Sequence, residues 1–209
     1  MLNLNPNDAV RYTPSQARAI DTLIANRGNR TGKELWDDKG TNDEFVVIKK
    51  TIMRHSLNIQ RVRCVFCETL LEYGGVHIEH FAPKWKSPEF VYEPLNLSCS
   101  CPVCNGFMKK GKRLTIEGAT VMPYQNNQFK YVHPYLDDVS REIRYRDPFH
   151  LYYDRDRCSA KGIRTIDMFH WDTIHARKKR FSNLLVRTTE RSRRKMIAER
   201  SGDGSLIRS

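Results

Sequence analysis

Cys64-Val65-Phe66-Cys67 and Cys101-Pro102-Val103-Cys104 are the two stretches that decide how the centre of this chain folds. Each is a Cys-x-x-Cys turn, which lets two thiolates reach the same ion. Two such turns supply the four soft ligands that zinc takes in a closed tetrahedral site. The spacing therefore predicts a structural Zn²⁺ site. Because its coordination would be complete, this zinc would not be the catalytic metal.

Two further cysteines, Cys99 and Cys158, lie outside these pairs. Cys99 could compete with Cys101 for the metal, but we favour a small buried residue on a strand. Cys158 stands alone and is expected to be an unliganded thiol. The polar residues 1–12 contain no apolar signal segment, so we expect a cytoplasmic protein whose cysteines stay reduced.

The segment between the cysteine pairs carries the residue types that phosphodiester hydrolysis needs. Glu79 and His80 are adjacent, Asn96 follows a loop, and Asn105 comes directly after the second pair. His80 suits a general base near neutral pH. Glu79 and the side-chain oxygen of Asn105 suit Mg²⁺ or Mn²⁺, which prefer oxygen ligands. Asn96 is placed to help orient His80.

The same segment predicts a strand, a loop, a second strand and a helix. In a regular strand Glu79 and His80 point to opposite faces, so the strand must end or bend there for both to reach one phosphate. Pro83 and the polar residues after it supply such a break. Residues 96–99 then return as the second strand, and Asn105 is expected to open a helix that presents Lys109.

The stretch Cys64–Lys112 resembles the HNH endonucleases, whose motif runs Cys-x-x-Cys, acidic residue-His, Asn-Leu, and Cys-x-x-Cys followed by His or Asn. It is more closely similar to the HNH subunits of Septu-type and retron-associated bacterial anti-phage systems. That similarity lies in residues 64–68, 78–84 and 96–105, and it continues more loosely into residues 133–138 and 162–168.

The resemblance implies a role for each matched residue. His80 falls at the general base, Glu79 at the acidic metal ligand, Asn96 at the central Asn, and Asn105 at the last metal ligand. The zinc ligands implied are Cys64, Cys67, Cys101 and Cys104. The resemblance also implies a ββα-metal motif, cleavage of DNA, and a defence complex with an ATPase partner, since this chain has no GxxxxGK[ST] motif of its own.

Two departures from the family pattern concern the site. Glu79 is one methylene longer than the usual aspartate, which could shift the metal or leave a water between them. Lys109 lies four residues past Asn105, where shorter motifs have a lysine three past, so Lys110 and Lys112 are alternatives for a phosphate contact. For His77 a position behind the ligands and simple exposure both stay open.

The expected fold is α+β, a mostly helical domain around a ββα-metal (HNH) motif with a four-cysteine zinc knuckle. Its parts are an amino-terminal helical segment (1–60), the nuclease core (61–115), a carboxyl-terminal extension with a basic helix (116–200) and a tail (201–209). The predicted elements are helices at 13–26, 44–57 and 173–198, a loop at 29–41, and short strands at 142–146 and 149–153.

The chain is strongly basic, with a formal net charge of +12, which favours a polyanionic partner. Five residues are predicted to contact DNA phosphates, although RNA is not excluded: Lys84, Lys109, Lys112, Arg177 and Lys178. A solvated helix face is the alternative for the last two. The other face of that helix is expected to be buried through Trp171, Ile174, Phe181, Leu184 and Leu185. No apolar stretch is long enough to span a membrane, so a membrane partner is not expected.

The function expected from these observations is a metal-dependent HNH endonuclease acting in anti-phage defence. A non-catalytic zinc-knuckle protein that binds nucleic acid would explain the cysteines and the charge equally well. It would not explain why Glu79-His80, Asn96 and Asn105 occur in order. The Asp137-Asp138 pair could suggest a second metal, but a solvated turn is the interpretation we favour.

Overall fold

The structure is a computed structural model that describes residues 1–71, 75–106, 109–126 and 129–201. About half of the chain is helical, and a small two-stranded sheet lies in the part described, so the α+β class is confirmed. The α-helices are α1 (Pro14–Ala25), α2 (Gly32–Asp37), α3 (Glu44–Ile59), α4 (Pro102–Asn105), α5 (Val139–Glu142), α6 (Ala160–Met168) and α7 (Ile174–Ser201). The strands are β1 (His77–His80) and β2 (Leu97–Ser100). Residues 202–209 of the predicted tail lie outside the described ranges.

The first helix begins at a capping box. The Thr13 side chain accepts a hydrogen bond from the Gln16 N–H, and the Gln16 side chain accepts one from the Thr13 N–H. Pro14 occupies the first turn, where its missing N–H costs nothing. The helix predicted at 13–26 is confirmed, and so is the one predicted at 44–57, which α3 matches.

The loop predicted for residues 29–41 is wrong, because α2 occupies its middle. Thr31 and Glu34 form a second capping box at the start of this helix. Gly32 lets the helix approach the segment after β1, since a Cβ there would lie 2.2 Å from the Lys84 carbonyl oxygen. The close approach places Trp36, near the end of α2, against His80.

The sheet is the antiparallel pair that the sequence predicts. His77 pairs with Ser100 and His80 with Leu97, and α3 packs on β2. The pairing is regular along all of β1, so Glu79 and His80 point to opposite faces.

The helix that Asn105 is expected to open is not formed, and this prediction is wrong. α4 is a single turn that ends at Asn105, because Gly106 leaves the helical region for an extended conformation (φ −70°, ψ 163°). Residues 109–112 form turns. The third element of the ββα unit is therefore one turn long.

The carboxyl-terminal part differs from the predicted strands at 142–146 and 149–153. Within the residues described there, one isolated bridge joins Tyr145 and Tyr153, and α5 takes up residues 139–142. The long helix predicted at 173–198 is confirmed as α7, and its first turn is capped by the Thr173 hydroxyl, which accepts from the Ala176 N–H at 3.2 Å.

The expected apolar burial is confirmed for Trp171, and Leu184 is half-buried, but the expectation is wrong for the other three residues. Ile174 is 69% exposed, Phe181 49% and Leu185 52%, although Trp171 just before the helix is buried. The helix instead docks through polar side chains. The Arg180 guanidinium donates to the carbonyls of Trp171 and Leu151, at 2.7 and 2.6 Å.

Two hydrophobic clusters hold the fold together. One contains the four cysteines together with Ile166 and Met168 of α6 and aromatic side chains that include Phe66, Phe81, Phe169 and Trp171. The other packs α1, α2 and α3 around Tyr92. The β1–β2 hairpin lies between them, since Cys99 belongs to the first cluster and Leu97 to the second. Among the described helices, none has the length and apolar composition that crossing a bilayer requires.

Candidate functional site

The four cysteines of the two predicted pairs meet at one point. Their Sγ atoms all lie within 4.8 Å of one another, and Cys67 Sγ lies 3.7 Å from Cys101 Sγ. A zinc tetrahedron with Zn–S bonds of about 2.3 Å has S–S edges of roughly 3.8 Å. Without a metal the four thiols share their protons: hydrogen bonds within the cluster lower the pKa of Cys67 and raise that of Cys104. The donor set and its size thus fit one zinc ion.

Local backbone geometry shapes both cysteine turns. The Glu68 N–H donates to the Cys64 carbonyl at 2.9 Å, and Glu68 has a left-handed φ of 62° that closes the first turn. In the second turn the Cys104 N–H donates to Cys101 Sγ at 3.4 Å. Pro102 starts the helical turn between those two cysteines.

α7 is fastened to the cysteine cluster, a contact that the sequence pattern did not indicate. Asn183 Nδ2 donates to the Cys67 carbonyl at 3.0 Å. Lys109 donates to the Phe169 carbonyl nearby. Although burial opposes it, the charge of the cysteine cluster raises the pKa of Lys179 on α7. The helix therefore compensates the negative charge of the thiolates.

Cys99 lies outside the cluster, as the sequence analysis favours. Its side chain is fully buried on β2, and burial raises the pKa of the thiol to about 12. The Gln60 amide holds its backbone from both sides, accepting from the Cys99 N–H and donating to the Cys99 carbonyl, each at 2.7 Å. Gln60 thus joins the end of α3 to β2. Cys158, also outside the cluster, hydrogen-bonds to the backbone of Arg144.

Glu79 is a buried carboxylate paired with a buried ammonium. Its Oε1 lies 2.5 Å from Lys110 Nζ, and the two side chains are 1% and 2% exposed. Lys110 also donates to the His80 carbonyl at 2.8 Å. Burial raises the pKa of Glu79, and the neighbouring ammonium opposes that rise. The ion pair with Lys110 thus satisfies this oxygen, and a divalent cation would bind it only in place of the ammonium.

His80 is the last residue of β1 and is held by a backbone carbonyl. Its Nε2 lies 3.0 Å from the Val91 carbonyl oxygen, which can only accept, so Nε2 carries the proton and Nδ1 is the basic nitrogen. Burial lowers the pKa of His80 well below its usual value, and the ring is neutral at pH 7. The Trp36 ring lies edge-on against it, with 4.5 Å between the centroids.

Asn96 is the centre of a buried hydrogen-bond network. Its Oδ1 accepts from the Ala82 N–H at 2.6 Å and from the Tyr124 hydroxyl at 2.8 Å. Its Nδ2 donates to the Phe90 carbonyl at 2.8 Å. These bonds tie together the two ends of the loop between β1 and β2, so Asn96 acts on His80 through the loop and not by touching its ring.

His133 extends this network, and the sequence analysis did not single it out. Its Nδ1 accepts from the Tyr135 N–H at 3.1 Å, so Nε2 carries the proton and donates to the Tyr124 hydroxyl at 3.0 Å. Burial, with Lys161 nearby, lowers the pKa of His133 well below its usual value.

Asn105 lies beside His77, at the start of β1. Asn105 Nδ2 lies 3.2 Å from His77 Nδ1, which leaves the Asn105 side-chain oxygen outside that contact. His77 and Glu79 share one face of β1 because they are two residues apart. That face thus carries His77, Glu79 and Asn105 with Lys110, while His80 projects from the other face towards Trp36.

The predicted phosphate-binding residues lie in different environments. Lys112 and Lys178 are exposed. Lys84 lies with its ammonium 5.2 Å from the centre of the Trp36 ring. The Lys109 ammonium donates a hydrogen bond to the Phe169 carbonyl. The Arg177 guanidinium carbon lies 5.1 Å from the centre of the Tyr152 ring.

The Asp137-Asp138 pair forms a structural turn. Asp137 pairs with Lys161 at 2.6 Å, and Asp138 caps α5 by accepting from the Ser140 N–H at 3.0 Å. In the part of the chain that the structure describes, the four cysteines are the cluster of His, Cys, Asp and Glu side chains that could hold a metal.

Comparison with known proteins gives one relative. No protein-family model matches the chain. Septu protein PtuB of Bacillus thuringiensis is 25% identical over 171 residues, which cover 81% of this chain and 53% of that protein. The chain spans about half the length of this curated relative.

Proposed function

We propose that the chain is a metal-dependent endonuclease of the HNH kind that hydrolyses phosphodiester bonds of DNA in anti-phage defence. The observation that carries the proposal is the Glu79 carboxylate, which is almost completely buried beside the Lys110 ammonium. It lies one residue from a neutral, oriented His80. A carboxylate beside a phosphate is unfavourable unless a cation lies between them.

The donor set on that face of β1 fits a hard divalent cation. Glu79 Oε1 and the Asn105 side-chain oxygen are oxygen donors of the kind that Mg²⁺ and Mn²⁺ take. An ion held there would stabilise the charge that develops on the phosphate and the leaving oxygen. The four-cysteine cluster is next to this face, because Asn105 directly follows Cys104 in α4.

His80 takes the role of general base in this proposal. The Val91 carbonyl fixes the tautomer, which leaves Nδ1 to accept a proton from the attacking water. Glu79 and His80 are the last two residues of β1, so a phosphate lying across the end of the strand can reach both faces. The Trp36 ring packs edge-on against His80, which is 5% exposed.

Two similarities support the proposed role in defence and the proposed ATPase partner. The sequence motifs resemble the HNH subunits of Septu-type systems, and Septu protein PtuB is similar over most of this chain. The net charge of +12 supports a polyanionic substrate. The exposed Lys112 and Lys178 are the cations most available to its phosphates.

One observation favours a second function, a zinc-knuckle module that binds nucleic acid without cutting it. Lys110 already neutralises Glu79, as it would if the pair served only to hold the turn after α4. In that case the basic surface would bind phosphates and no second metal would be needed.

A plasmid-cleavage assay separates the two functions. The zinc-loaded chain is incubated with supercoiled DNA and with RNA, with Mg²⁺, with Mn²⁺ and without either, in the presence and absence of its ATPase partner. We expect metal-dependent nicks or breaks that His80→Ala and His80→Gln abolish while zinc content and the circular dichroism spectrum stay unchanged. His175→Ala, which removes an exposed histidine, is the matched control and should cut normally. Cutting by both His80 variants refutes the mechanism, and no cutting under any condition favours the binding module.

A further inference from the structure

A cavity of about 310 Å³ lies between α7, the first cysteine turn and the segment 145–153. Small-molecule sites start at roughly 300 Å³. The residues that line it include neither Glu79 nor His80, so it is separate from the proposed nuclease site.

The wall of the cavity is aromatic and ordered. Phe66, Tyr153 and Trp171 are buried side chains that line it. The Tyr153 and Trp171 rings lie 15° from parallel, and the Tyr145 and His150 rings 10° from parallel at 4.3 Å. Because these inner rings are stacked on one another, a flat aromatic ligand would stack against the exposed rings at the mouth, Phe149 and His150.

An exposed aromatic side chain stands at the mouth of the cavity. Phe149 lines it yet is 61% exposed. His150, which follows, is also exposed and has a left-handed φ of 58°, a conformation that needs support for a residue other than glycine. A ligand stacked beside these residues would cover apolar surface that now faces water.

Cations surround the aromatic wall. Lys179, Arg180 and Arg187 line the cavity, and Glu68, the one acidic residue among the described lining, is already paired with Arg187. Lys179 makes no hydrogen bond or ion pair with any described acidic side chain. Arg180 leaves its Nε–H buried without a partner in the described part of the chain. Lys179 therefore offers positive charge both to the cysteine cluster and to the cavity, beside the exposed rings at its mouth.

We propose that this cavity binds a nucleoside phosphate, with the base stacked on the exposed rings at its mouth and the phosphate facing Lys179. An apolar ligand would use the rings and leave the cations unpaired, and an inorganic anion would use the cations and leave the rings exposed. A nucleotide satisfies both. Its source is either a residue of a bound strand or a free nucleotide. The site does not depend on Glu79 or His80 being catalytic.

Isothermal titration calorimetry on the full zinc-loaded chain without added magnesium tests the site. The probes are AMP, adenosine and a short oligo(dA) strand. We expect AMP to bind, and adenosine to bind about tenfold more weakly because the charge-assisted bond to the phosphate is lost. Phe149→Ala should weaken AMP binding by about tenfold, since one stacking contact is removed. Tyr152→Ala removes the neighbouring exposed aromatic ring, which does not line the cavity, and should leave the affinity unchanged.

Lysine variants test the phosphate position. Lys179→Ala should reduce the affinity for AMP to that for adenosine, with zinc content measured because Lys179 lies near the cysteines. Lys50→Ala removes an exposed lysine from α3 and controls for net charge.

Displacement of AMP by oligo(dA) identifies a strand as the source, and AMP binding without displacement identifies a free nucleotide. The proposal is overturned if AMP does not bind at millimolar concentration, or if Phe149→Ala and Lys179→Ala both bind it like the unmodified chain. Either result is independent of whether the protein cuts DNA, because no cleavage is measured.

Discussion

Lys110 Nζ lies 2.5 Å from Glu79 Oε1, with both side chains almost completely buried. The ammonium therefore occupies the side of the carboxylate where a divalent cation is proposed to bind. The Lys110 ammonium and a divalent cation cannot both lie against the same side of Glu79 Oε1. Metal binding therefore requires the ammonium to move away. The pair stabilises the metal-free protein and competes with the metal.

Lys110→Met should destabilise the metal-free protein, because it leaves the Glu79 charge buried without its partner. Removing one member of a buried ion pair costs about 3–5 kcal/mol. Adding Mn²⁺ should restore more stability to this variant than to the unmodified chain, since the metal no longer competes with an ammonium. Urea denaturation with and without Mn²⁺ measures both effects, with the exposed Lys86→Met as the control. Equal effects of Mn²⁺ on all three proteins would show that Lys110 and the metal do not share a site.

Cys101→Ser should abolish stoichiometric zinc binding and greatly lower the unfolding temperature. A structural zinc site contributes about 10–16 kcal/mol of apparent binding free energy, and α7 is fastened to it through Asn183. Cys99→Ser and Cys158→Ser are the matched controls, since both lie outside the cluster, and each should retain one zinc per chain. Elemental analysis measures the zinc. A loss of zinc in Cys99→Ser would mean that the zinc is held by a set of ligands other than the four cysteines of the cluster.

Asn96→Ala should lower the free energy of unfolding by about 3 kcal/mol, because it leaves buried groups of Ala82, Phe90 and Tyr124 without a partner. Tyr124→Phe, which removes one bond of the same network, should cost about 1–2 kcal/mol. The control Asn58→Ala changes an exposed asparagine on α3 and should cost nothing. Chemical denaturation gives the three values. A cost for Asn96→Ala as small as that of the control would mean that the network does not hold the loop.

His133 should make folding stability fall in mild acid. Burial lowers its pKa below the value of about 6.5 expected in the unfolded chain. A lowered folded-state pKa means that the unfolded state binds more protons, so this contribution is complete above pH 6.5 and is lost as the pH falls below it. Well below pH 6.5, one such histidine lowers the free energy of unfolding by about 1.4 kcal/mol for each pH unit.

The test compares the free energy of unfolding at pH 6.5 and pH 5.5. His133→Gln should reduce the loss between these two pH values by about 1 kcal/mol relative to the unmodified chain, since the unfolded imidazole is already half-protonated at pH 6.5. His175→Gln, at an exposed position, should leave it unchanged. An identical loss in all three proteins would contradict a buried neutral His133.

The local patterns in the sequence were enough to predict the hairpin and the two cysteine turns. The meeting of the cysteine pairs follows from two short turns, and the return of residues 96–99 as a strand follows from the break at Pro83. Helices α1 and α3 follow from their apolar periodicity. The helices and strands depend on residues close together in the chain, whereas the meeting of Cys67 and Cys101, 34 residues apart, was predicted from the preference of zinc for four thiolates.

What the sequence could not predict depends on contacts between distant segments. The Glu79–Lys110 pair and the Tyr124–His133 network join residues from separate loops. α7 docks through the polar side chains of Arg180 and Asn183, whereas its apolar pattern predicts docking through Phe181 and Leu185. One error was avoidable, because the Thr31–Glu34 capping box was readable as the start of α2.

The binding of Mn²⁺ to the zinc-loaded chain, followed by electron paramagnetic resonance, tests the central claim most directly. The account predicts one Mn²⁺ bound in addition to one zinc. Glu79→Gln should lose the Mn²⁺ and keep the zinc, because the cysteines are untouched. If Glu79→Gln binds Mn²⁺ as tightly as the unmodified chain, or if neither protein binds it at millimolar concentration, then Glu79 is not part of a catalytic metal site.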